Sequence, residues 1–137
     1  MVATADNADE PSTRAATEYA AASDALVVAS AGEPVRTEEG IPSAAELLGA
    51  PRYPAAYPEA LGVTAFDADG LPAVGSTQGE QVDVAAPGQN VLTTATGDCL
   101  YASGAPSTAF ATAYAAGAAA LVTGAFPMRA LQAGRIA

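Results

Sequence analysis

A carboxylate at Glu33, a hydroxyl at Ser107 and a thiol at Cys99 are the side chains here best suited to acid–base or nucleophilic work. Tyr101 adds a phenol two residues past the cysteine. The partners that such groups ordinarily need are missing. The chain has 137 residues and no histidine, so it holds no Ser-His-Asp triad, no Cys-His dyad and no histidine-ligated metal site of its own. One cysteine cannot form an internal disulfide or a thiolate zinc cluster. Asp98 beside Cys99 works against a thiolate, so a structural thiol is expected there. Asp67, Asp69 and Gly70 are spaced as in a calcium loop but lack the closing glutamate, and the same residues are ordinary turn chemistry. Neither a metal nor a cofactor is expected.

Charge narrows the partners. Fifteen acids against five arginines give a net charge of −10, with no cationic cluster to neutralise phosphates, so nucleic acid and anionic membranes are not expected ligands. Met1 leads into an acidic, polar stretch without a basic region, which predicts a cytoplasmic soluble protein; loss of an export signal would leave the same pattern. The longest apolar run, Ala113 to Val122, is too short to span a bilayer. Half the residues are hydrophobic, most of them alanine, so the core must rely on close backbone approach rather than on bulk.

The elements that would position the reactive groups follow from local pattern. Asp9-Glu10-Pro11 reads as a helix start with a cap and a tolerated early proline, and Ala15, Ala16, Tyr19, Ala20 and Ser23 continue it on a small-residue face. Ala25–Ser30 is an unbroken apolar run, the mark of a strand buried on both faces. Residues 32–58 hold five of the ten prolines and predict an irregular excursion with a short helix over Ser43–Leu48. Leu61–Phe66 and Val82–Val84 predict further strands, stopped at Asp67–Gly70 and at Ala86–Gly88. Val91–Ala95 and Leu100–Ala102 predict a hairpin around Thr96–Asp98. A small-residue helix is expected over Ser107–Val122, with Phe110, Tyr114, Gly117 and Leu121 near one face, and a short helix over Met128–Ile136.

Four separated stretches resemble the subtilisin family of serine peptidases in the right order, the mycosins above all. They are Val27–Gly32; Tyr53–Pro58 with Ala60–Gly70; Val82–Gly88; and Ser107–Gly117, which is similar to the family's nucleophile helix. The resemblance covers about residues 2 to 136 and corresponds to the family's second half. It implies an α/β class and one domain over residues 1–137. That domain would be a truncated subtilisin-like three-layer fold with a small, mostly parallel sheet, a β-hairpin and flanking helices. It also implies that Gly117 lies where the long helix crosses a strand closely. Tyr53 and Tyr57, spaced by prolines, either line a binding groove or, as the resemblance implies, are packing residues.

The departures fall where the family's chemistry would be. Counted back from Gly117, the nucleophile serine corresponds to Ala109, and the oxyanion-hole asparagine corresponds to Glu33. A carboxylate there opposes the charge of a tetrahedral intermediate. Two extra residues before the helix leave Ser107 either as a helix cap or as a shifted nucleophile. Glu33 is either a solvated loop acid or, if it lies beside the N-terminus of the Ser107 helix, a cation ligand or general base. Two functions follow. One is a non-proteolytic pseudoenzyme serving as a binding or assembly module, either a homo-oligomer or a heteromer with a complementary half, joined through the Ala25–Ser30 sheet edge. The other is the same scaffold reused for different chemistry, with Glu33 as general acid/base and Ser107, Cys99 or Tyr101 lining a new site.

Overall fold

A computed structural model describes residues 1–2, 6–33, 51–94, 101–103 and 105–126. Three parallel strands, β1 (Val27–Ser30), β2 (Ala60–Phe66) and β3 (Val84–Pro87), form one sheet in the order β1-β2-β3. A separate antiparallel pair joins β4 (Leu92–Thr94) to β5 (Tyr101–Ser103). The helices are α1 (Pro11–Ala22) and α2 (Thr108–Ala125). The class is α/β with a small parallel sheet, as the sequence predicts. The helices expected over Ser43–Leu48 and Met128–Ile136, the turn Thr96–Asp98 and Cys99 lie outside the described residues.

One face of the sheet carries α2, which packs against all three strands. Val28, Leu61, Val63, Ala65 and Ala86 meet Ala111 and Ala115 in the core. The opposite face is covered by irregular chain at β2, and α1 lies against β1. Thr64 Oγ1 donates to Thr77 O at 2.6 Å. A Cβ on Gly62 would stand 1.9 Å from Gln81 O and 3.3 Å from Ala55 O, so only glycine fits that crossing. Asp83 pairs with Gly62 by its amide and by its carboxylate, but the regular β3 ladder begins at Val84 and runs through Pro87. The strand expected over Val82–Val84 therefore starts two residues later and ends three later, running through the Ala86–Pro87 expected to stop it. Proline is accommodated because β3 is an edge strand.

Two expected helix faces are corrected. In α2 the buried positions are Thr108, Ala111, Thr112, Ala115 and Ala119. Phe110, Tyr114, Gly117 and Leu121 do share a face, but it borders a groove against Val91–Thr93 rather than the sheet. Gly117 is exposed, and a Cβ added there meets nothing within 4 Å. The close crossing lies at Gly88 instead, where an added Cβ would be 2.5 Å from Ala65 Cβ and 2.7 Å from Ser107 O. With 18 residues, α2 is long and apolar enough to cross a membrane by length and composition; here its alanine face packs on a sheet. In α1 the buried residue is Thr17, while Ala15, Ala16 and Tyr19 are exposed.

Asp9 does not cap α1; Glu10 occupies the N-cap without a side-chain bond. Asp9 accepts from Arg14 Nη2 at 2.6 Å and from the Tyr57 hydroxyl at 2.8 Å, and the Arg14 guanidinium lies 4.6 Å from the Tyr57 ring centroid. Tyr53 lies against Tyr57 with ring centroids 4.8 Å apart and the rings tilted by 39°; Tyr57 is buried as a packing residue, whereas half-buried Tyr53 also lines a cleft. Arg14, and after it Tyr57, hold the Asp9 carboxyl below its ordinary range. Asp67 is a turn: its Oδ1 accepts from the amides of Asp69 and Leu71, and Gly70 takes a positive φ of 78°.

Gly88→Ala is expected to cost about 1–3 kcal/mol by overpacking, whereas Gly117→Ala should add about 0.8–1 kcal/mol through helix propensity. Urea denaturation of both variants checks this; similar midpoints would reject the helix register. A second expectation concerns alkaline pH. Burial of the ring, and then the bond to Asp9, push the Tyr57 hydroxyl up to about 12 from an ordinary value of 10.0. The fold prefers the neutral phenol, so this contribution is complete below pH 10 and is lost as pH rises toward about 12. Melting temperatures across that window should fall more steeply for the natural protein than for Tyr57→Phe. Parallel profiles would exclude Tyr57 as the source.

Candidate functional site

The carboxyl end of a parallel sheet is where open α/β folds gather functional groups, and Glu33 and Ser107 meet there. After β1 the chain turns through Gly32, with φ at 83°, held by a bond from Gly32 N to Ser30 Oγ at 3.2 Å and from Thr77 N to Gly32 O at 3.1 Å. This turn delivers Glu33 to the start of α2. From the other side, Gly88 O accepts from Ser107 N at 3.0 Å, so the end of β3 fixes the residue that precedes the helix.

The first turn of α2 is already capped. Glu33 Oε1 accepts from Thr108 N. Ser107 is the N-cap, and its Oγ accepts from Ala109 N at 3.1 Å. Thr108 is fully buried, and its Oγ1 pairs with Ser30 Oγ at 2.6 Å. A carboxylate and a hydroxyl thus occupy two of the helix's orphan amides. The half-buried Glu33 places its negative charge at the favourable end of the helix dipole.

Of the residues singled out from sequence, Glu33, Ser107 and Ala109 are brought together. Tyr101 begins β5, and Cys99 lies outside the described residues. Among the described residues no group of three or more acidic or sulfur ligands is placed to hold a metal. Sequence reasoning missed Ser30 and Thr108. Their one available signal was a hydroxyl at the end of an otherwise apolar strand and another just inside a helix start. What the arrangement does chemically is bind backbone amides. Ala109 carries no nucleophilic atom, and the amides of Thr108 and Ala109 already meet side-chain oxygens.

Replacing Glu33 by Ala is expected to cost about 0.5–2 kcal/mol, the value of a helix cap. Glu33→Gln, which keeps an acceptor and loses the charge, should cost less, about 0.3–1 kcal/mol. Urea denaturation measures both. An unchanged midpoint for Glu33→Ala would mean that the bond to Thr108 contributes nothing in solution.

The family model described as the subtilase family, peptidase S8, matches residues 3–135. A thermostable alkaline protease of Halalkalibacterium halodurans is 43% identical over 75 residues, which are 55% of this chain and 20% of that protein. The match thus spans about one fifth of the relative's length.

Proposed function

The chain belongs to the subtilase family, and on that basis we propose that it acts as a non-proteolytic, subtilase-like binding or assembly module. Within the family we set it beside the mycosins, on the Tyr53–Pro58 and Val82–Gly88 patterns. The module joins a second copy of itself or a complementary partner chain through the surface beside β1.

The observation that carries this reading is the capped start of α2. Acyl transfer needs a nucleophile and donors aimed at the developing oxyanion, and losing one such donor costs about 10²–10³ in rate. Here Ala109 stands at the position matching the family's serine, Glu33 holds Thr108 N, and Ser107 holds Ala109 N. On this reading the Glu33 carboxylate lies beside the place where negative charge would have to form. The surface beside β1 has its own support. Val2 forms a parallel bridge with Ala29, donating to Val28 O at 2.8 Å and accepting from Ser30 N at 3.1 Å. Val2 thus already holds these edge groups in parallel register, and on this reading the partner's strand extends the sheet on the outer side of Val2 or replaces it.

Purified protein is expected to hydrolyse no casein or peptide substrate and to take up no fluorophosphonate. Mass spectrometry of the treated chain reads the result. Stoichiometric labelling at Ser107 would overturn the proposal and make that residue a displaced nucleophile.

A further inference from the structure

A cleft of about 560 Å³ lies beside β1, between α1 and the Tyr53–Pro54 segment. Its apolar lining includes Val2, Val27 and Pro54, and its charged lining residues, among those described, are Asp6 and Glu10. The Asp6 backbone is fixed by two bonds to Tyr53, at 2.9 and 2.8 Å, while its Oδ1 accepts from Ala8 N at 3.2 Å; the Glu10 backbone is placed at the N-cap of α1. The neighbouring cation Arg14 is turned to Asp9 and the Tyr57 ring.

We infer that this cleft receives a lysine or arginine side chain presented on an extended segment of a different, basic partner chain. The inference rests on the assembly reading and names its partner. Val2, Val27 and Pro54 offer apolar contact to an alkyl stem, and the lining acids Asp6 and Glu10 offer carboxylates to the cationic head. Charge decides against a second copy: each copy brings a net −10, and like charges brought together at an interface oppose association. The volume is in the range of specific ligand sites, about 300–1,000 Å³.

The test uses the whole chain and a fluorescein-labelled octapeptide of alternating valine and lysine, with its valine–glutamate counterpart as control. Fluorescence anisotropy should show binding of the lysine peptide only, weakened by added salt. Asp6→Asn combined with Glu10→Gln should weaken it about five-fold, the effect of losing two rim charges. Asp69→Asn combined with Glu80→Gln makes the same change of net charge on exposed residues outside the cleft, and should change affinity less than about two-fold. Equal weakening by both pairs, or no binding, would overturn the inference. Light scattering separates it from the broader reading: a dimer broken by Asp6→Lys would assign the cleft to a second copy, refuting the basic partner and leaving the assembly module intact. Circular dichroism of each variant confirms that a lost signal is not lost folding.

Discussion

Close approach between α2 and the parallel sheet governs everything at the sheet's carboxyl end. Alanines 111, 115 and 119 are buried on the helix, and the first two meet a sheet whose central strand contributes Leu61, Val63 and Ala65. Side chains this small leave no slack between backbones. Gly88 follows from the same constraint, because any side chain there would collide with β2 and with the residue preceding the helix. Once α2 is held at that distance, its first amides lie within reach of the turn that follows β1. The cap by Glu33 and the Ser30–Thr108 hydroxyl pair are consequences of packing, not independent features.

Two acidic residues illustrate how differently a carboxylate can be used in a protein with so few cations. Asp9 takes one of the five arginines and a tyrosine hydroxyl on the surface. Glu33 takes no cation in its bond to α2; its partner is a backbone amide at a helix N-terminus, where the dipole substitutes for a positive side chain. The second arrangement has a chemical consequence that the first lacks. An anion-binding position at a helix start is available to a substrate only while no internal anion fills it. Here the chain supplies its own.

Large apolar side chains are scarce in this chain, and several of them are not in the core. Leu92, Tyr114 and Leu121 are 69%, 53% and 77% exposed, and they border the groove between α2 and β4. The core meanwhile is built from alanine and valine around one leucine. A hydrophobic face on α2 is thus split in two by size: small residues face the sheet, larger ones face the groove. Near the beginning of the chain, Val2 pairs to β1.

Sequence alone determined the class, the order of the strands along the chain and the family, because each rests on local signals. Continuous apolar runs at Ala25–Ser30 and Leu61–Phe66, turn residues at Asp67–Gly70, and a cap before a small-residue helix are all written within a few residues. It also determined which atoms are absent, since a missing histidine and an alanine at position 109 need no coordinates. Which face of α2 turns inward was decided by tertiary structure: in an alanine-rich helix both faces satisfy the same period, and only the fit against β2 and Gly88 separates Ala115 from Gly117. The partner of Glu33 was likewise invisible, because it lies 75 residues away. The fate of Asp9 depended on where Tyr57 arrived, 48 residues on. Such long-range pairings are set by packing distance, which no local pattern encodes.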